Sequence, residues 1–154
     1  MKFVCILWNY FDLTPISIIN EIGVHASFLN ISILHLESHF DNFVKEVYSI
    51  DGIFPEYIIY KIEHMKKKPY RKVFIVELDI IDPRLTFDKV KQKNISNSII
   101  TLKQSIRSKF DNNFDNDINN SIIHCTDNSD ETNHLVSLVN IYSNICFVER
   151  FDLT

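Results

Sequence analysis

The apolar positions change period several times along the chain, and each change marks an element. Lys2–Trp8 is a nearly unbroken apolar run, alternating too little for a half-exposed strand and suited to a central one. Thr14 then supplies an N-cap and Pro15 a proline at the first helical position. The apolar stripe Ile16, Ile18, Ile19 and Ile22 follows, and Gly23 is the expected C-terminal cap. Residues 26–36, rich in β-branched and apolar side chains, predict a second strand. Ser38 or Asp41 opens a short helix through Val44 and Val47. Pro55 opens another, with Ile58, Ile59, Ile62 and Met65 on one face. Residues 71–80 form a third strand, stopped by Asp82-Pro83 because proline cannot donate to a ladder. Beyond it, 85–90 and 99–110 read as helices and 112–120 as a polar loop. Ser121-Ile122-Ile123 is a short strand ending in His124. Asp127 and Asp130 are spaced as a capping pair for a helix through Leu135, Val136, Leu138, Val139 and Ile141, and 145–148 closes the chain as a strand.

This order predicts an α+β sandwich: an antiparallel sheet of split βαβ type, with helices covering at least one face. At 154 residues and 45% hydrophobic, the chain reads as one domain over 1–154, with room for a real core. Only two glycines and four prolines argue against collagen-like and linker-like classes. No window approaches the roughly 18 apolar residues of a membrane span, and the N-terminal run is too short for a signal segment. The three cysteines, Cys5, Cys125 and Cys146, are an odd number at no metal-ligand spacing, so a reducing, cytoplasmic setting is expected. A net charge of −4 weakens nucleic-acid binding as the main activity. The basic run Lys66-Lys67-Lys68 with Arg71 and Lys72 reads as a solvated helix end.

Chemistry concentrates after the short strand. His124 is followed by Cys125-Thr126-Asp127-Asn128-Ser129-Asp130-Glu131 at the start of a helix, a place where free N–H groups and polar side chains attract phosphate. A nucleophilic imidazole must be neutral, with its second nitrogen fixed by a hydrogen bond, and Asp130 is the candidate to orient it. Thr126 is a candidate donor to the phosphate. The plainer reading is that the acids only cap the helix while His124 packs at a strand end. His35 and His39 flank Glu37 in the wrong order for a zinc-protease helix and read as solvent-facing. Cys125 points to the face opposite His124 and reads as a small packing residue.

The stretch from Ser121 to Asp130 resembles the active-site segment of nucleoside diphosphate kinases, which that family writes Asn-Ile-Ile-His-Gly-Ser-Asp-Ser-x-Glu. Ser105-Ile106-Arg107-Ser108-Lys109-Phe110 is similar to the family's Thr-Ile-Arg-Gly-Asp-Phe, and Glu63-His64-Met65 ahead of Pro69 is similar to its Lys-Tyr-Met and Gly-Pro. The resemblance implies a ferredoxin-like βαββαβ sandwich with an antiparallel sheet and extra helices. It also implies a ping-pong transfer in which a nucleoside triphosphate, with Mg2+, phosphorylates a histidine and a nucleoside diphosphate collects the group.

Carried across, His124 is the implied nucleophile, Asp130 stands for the orienting glutamate and Thr126 for the serine. Arg107 meets the phosphates, Tyr57 stacks on the base, and Lys91 is among the lysines that reach the phosphates. Ser121 stands where the family's asparagine is expected, with Asn120 one place off. Leu7-Trp8-Asn9-Tyr10 replaces the family's Lys-Pro-Asp-Gly, so the lysine that supplies charge to the transferring group is missing. Residues 112–120 do not resemble the loop through which the family builds hexamers, which leaves a homo-oligomer open. The implied activity is a divergent phosphotransferase. The alternative is an inactive nucleotide-binding or protein-interaction module on the same fold.

Overall fold

The computed structural model describes residues 1–8, 15–110 and 122–152. The molecule is α+β. Strand β1 (Lys2–Trp8) is followed by α1 (Pro15–His25), β2 (Ser27–His35), α2 (Phe40–Ser49) and α3 (Pro55–Met65). Then come β3 (Lys72–Asp79), the pair β4 (Leu85–Asp88) and β5 (Lys93–Ser96), α4 (Asn97–Phe110), β6 (Ile123–Cys125), α5 (Ser129–Ser143) and β7 (Phe147–Arg150). The main sheet has the order β6-β1-β3-β2-β7 with every pairing antiparallel, an arrangement compatible with a ferredoxin-like α+β fold.

The hydrophobic pattern explains the layering. Successive side chains of β1 point to opposite faces, and Phe3 through Trp8 are all buried, so both faces of the sheet are covered at its centre. α1 packs against α4, while α5 packs on β1 and α2. Trp8 stacks on Tyr48 at 6.1 Å and meets Phe40 and Phe43 edge-on, which fixes α2 over the end of β1. Among the described residues, no helix is long and apolar enough to cross a membrane.

Several sequence expectations are corrected. Residues 85–90 are not a helix: Leu85–Asp88 pairs with Lys93–Ser96 as a two-stranded hairpin. Leu85, Phe87 and Val90 are exposed, so the apolar spacing that suggested a helical face covers no core. Gly23 does not end α1, which runs on to His25. A side chain there would press on the ring of Phe28, whose edge lies 3.1 Å from where a Cβ would sit. The pair capping α5 lies one residue beyond the expected one: Asn128 is the N-cap, its side chain accepting from the Glu131 N–H. On α3, Ile59 is exposed and Lys61 takes its place among the buried residues Ile58, Ile62 and Met65. Cys5 and Cys125, directly opposed on β1 and β6, are paired as a disulfide, so Cys125 is a cross-strand partner and not the small packing residue expected. Thr14, the loop 112–120, Asn120 and Ser121 lie outside the described residues.

Candidate functional site

β6 is a short strand at one edge of the main sheet, and its middle residue, His124, pairs with Ile6 of β1. The imidazole is partly buried and lies edge-on to the Tyr48 ring, with centroids 5.0 Å apart. It forms part of the wall of a cavity of about 460 Å³. Tyr57, Lys61, Lys91, Lys93, Lys103 and Arg107 line the same cavity, and so do Asp51, Asp127 and Glu131. Five parts of the chain therefore meet here: α2 and the turn after it, α3, the β4–β5 hairpin, the second half of α4, and β6 with the start of α5.

Local chemistry sets each part. Gly52, at φ +65°, makes the turn that follows α2 and lets Asp51 face the cavity, a backbone conformation that glycine adopts at no steric cost. Asp88 opens the hairpin loop by accepting from the N–H groups of Val90 and Lys91, an Asx turn that places Lys91 and Lys93 at the rim. Asn128 both caps α5 and donates to the Asn94 carbonyl at 2.9 Å, tying the hairpin to the helix. Arg107 reaches the Ile123 carbonyl at 3.5 Å beside His124.

The charges divide into two groups. On one wall, Lys93 donates to Glu131 at 2.7 Å and pairs with Asp127 at 3.0 Å and with Asp51 at 4.0 Å; Lys103 donates to Asp127 at 3.3 Å. Burial pushes Lys93 toward its neutral form, but the bonds from Glu131 and Asp127 outweigh it and raise its pKa. Asp127 is likewise raised by burial and, more strongly, held down by Lys103 and Lys93. Asp51 is raised by burial and by the negative charge of Glu131. On the other wall stand Lys61 and Arg107. Lys61 is 4% exposed, its amine 4.4 Å above the Tyr48 ring, and burial with the nearby Arg107 charge lowers it to about 8. Burial, with the Lys103 and Lys61 charges, lowers His124 to about 3, so its imidazole is neutral at physiological pH.

Of the residues singled out from sequence, the structure brings Tyr57, Lys91, Arg107 and His124 to one cavity. It does not bring Thr126 or Asp130 there. The Thr126 hydroxyl is buried, accepting from the Val4 N–H at 3.1 Å and bonded to Thr132 at 2.8 Å, so it ties β6 to β1 rather than facing a ligand. Asp130 is exposed on the first turn of α5, while Glu131, one residue on, faces the cavity. Leu7 is fully buried, so β1 places no cation at this position. Sequence reasoning passed over Lys61 and Lys103, read Asp127 as a helix cap and gave Glu131 no role beyond the polar stretch after His124. Lys61 carried a signal, because it stands three residues after Ile58 and four before Met65, a lysine within an apolar stripe.

These groups offer a neutral imidazole, positive charge from Lys61, Lys91 and Arg107, and an exposed aromatic ring at the rim. The carboxylates are already bonded to ammonium groups, and among the described residues no set of three His, Cys, Asp or Glu side chains is placed to hold a metal ion. Comparison with protein-family models and with curated proteins returns no match to this chain.

Proposed function

We propose that the cavity binds a nucleoside triphosphate and that His124 accepts its terminal phosphoryl group, a divergent form of nucleoside diphosphate kinase-like transfer. The observation that carries the reading is one cavity lined by a neutral His124, Arg107, Lys91 and Tyr57, residues up to 67 positions apart in the chain. The finer fold assignment belongs to the same proposal. β1, α1, β2, β3, α4 and β6 run in βαββαβ order with sheet order β6-β1-β3-β2. On this reading α2, α3, the β4–β5 hairpin, α5 and β7 are additions.

In the first half-reaction a nitrogen of His124 attacks the terminal phosphorus, the P–O bond to the diphosphate breaks, and the nucleoside diphosphate leaves with its magnesium. In the second, a different nucleoside diphosphate attacks the phosphohistidine and regenerates the neutral ring. Arg107 binds phosphate oxygens through its guanidinium fork, and the Tyr57 ring, 43% exposed, is available to a base. Magnesium enters on the phosphates as part of the substrate.

A second reading, a nucleotide-binding module without turnover, is favoured by buried Leu7 in place of a lysine and by Thr126 turned into the core. The two separate on one experiment. The purified protein is incubated with γ-labelled ATP and Mg2+, and acid-labile, base-stable phosphate is sought on the wild type and on His124→Ala. Label on the wild type alone is the expected result. Nucleotide binding without label leaves the second reading, and neither binding nor label overturns both.

A further inference from the structure

A lysine inside a protein nearly always meets a carboxylate, because an ammonium removed from water without a counter-ion costs several kcal/mol. The half-buried lysines of the cavity obey this, Lys93 with Asp127 and Glu131, and Lys103 with Asp127. Lys61 is more buried than either, yet no carboxylate of the described residues forms an ion pair with it. Its contact with the Tyr48 ring contributes on the order of 0.5–2 kcal/mol, too little to offset that desolvation. The charges around it do not supply the missing partner. Arg107 and Lys103 from α4 share its sign, His124 from β6 is neutral, and Asp51 acts on it only at a distance.

We propose that Lys61 is an anion-holding residue, whose counter-ion is a phosphate of the ligand held between its amine and the Arg107 guanidinium, beside His124. α3 then supplies positive charge at a place where β1 presents only the buried Leu7. Phosphate oxygens suit the pair, since an ammonium is a compact donor and a guanidinium a bidentate one. The burial that lowers the Lys61 amine agrees with this geometry, because a bound polyanion favours the charged form. This assignment rests on the cavity being a phosphate site, and does not require His124 to turn over.

The test is calorimetric titration with inorganic tripolyphosphate at pH 7 and low salt. It compares the wild type, Lys61→Met, Lys61→Gln and, as a control in the exposed turn after α3, Lys67→Met. Both Lys61 variants are expected to bind about tenfold or more weakly, the worth of one charge-assisted bond, while Lys67→Met binds as the wild type does. Two substitutions of different polarity guard against one that fails to fold. Lys61 variants that bind as tightly as the wild type, or that lose no more than Lys67→Met, overturn the assignment and leave the phosphate reading standing. A wild type that binds no tripolyphosphate overturns the assignment together with the phosphate reading.

Discussion

Lys61 is held in a state that works against the fold, which makes its effect on stability predictable in sign. In the folded protein its pKa lies near 8, against an ordinary value of 10.5, so between these values the unfolded chain keeps a proton that the folded one has released. Stability therefore rises with pH across that window, and below pH 8 the burial of the charge opposes folding in full. Lys61→Met is expected to raise stability at pH 7 by about 2–3 kcal/mol and to flatten the rise between pH 8 and 10.5. Urea unfolding at pH 7, 8.5 and 10 reads both effects. A variant less stable than the wild type at pH 7 would show that the amine is a structural contact. A variant that gains stability while losing anion affinity has the signature of a residue placed for a ligand.

Elements were legible where period and punctuation agreed. The unbroken run of β1, the proline that opens α3 and the stripe of α5 all formed near the places expected, because local preference and burial pull the same way there. The β4–β5 hairpin was not legible. Leu85, Phe87 and Val90 fit either period, and the hairpin is defined by backbone pairing and by Asp88 turning the loop, neither of which depends on apolar side chains facing a core. The cap of α5 was misplaced by one residue because Asp127, a good capping residue by type, is used in ion pairs with Lys93 and Lys103, leaving Asn128 to cap. The Asn128 side chain accepts from the Glu131 N–H and donates both to the Asn94 carbonyl at 2.9 Å and to the Glu131 carboxylate at 3.3 Å. Asn128→Ala is thus expected to cost about 1–2 kcal/mol, at the upper end for a lost cap. Asn128→Ser, which keeps a capping acceptor and sets no new charge beside Glu131, should recover most of the cap but not the tie to the hairpin. Thermal melts rank the three proteins. Equal loss in both variants would mean that the bonds donated by the amide, to Asn94 and Glu131, dominate over the cap.

At the scale of the whole molecule, sequence motifs indicated His124 and Arg107, but not what surrounds them, since the cavity is made by sheet order and not by spacing. β6 joins β1 at the sheet edge, α4 delivers Lys103 and Arg107, and the hairpin swings Lys93 against α5, 38 residues from its partner Glu131. Among the described residues, Lys93 is the one cation in contact with Asp51, Asp127 and Glu131 together, so it joins three segments that no backbone ladder connects. Removing it leaves three carboxylates facing one another with, among the described residues, Lys103 paired to Asp127, and the charges of Glu131 and Asp127 then raise the affinity of Asp51 for protons. Lys93→Met is therefore expected to lose roughly 2–3 kcal/mol at pH 7, less than for a fully buried pair because Lys93 is 24% exposed on its side chain. The loss should shrink as the pH falls toward 5 and the carboxylates take up protons. Adding Glu131→Gln to Lys93→Met should restore part of the stability, because it removes one of the repelling charges, whereas Glu131→Gln alone should destabilise. Urea unfolding of the wild type, both single variants and the double variant closes that cycle. If the two losses simply add, the ammonium and the Glu131 carboxylate are not coupled, and the hairpin is held to the start of α5 by Asn128 and by the Lys93–Asp127 pair.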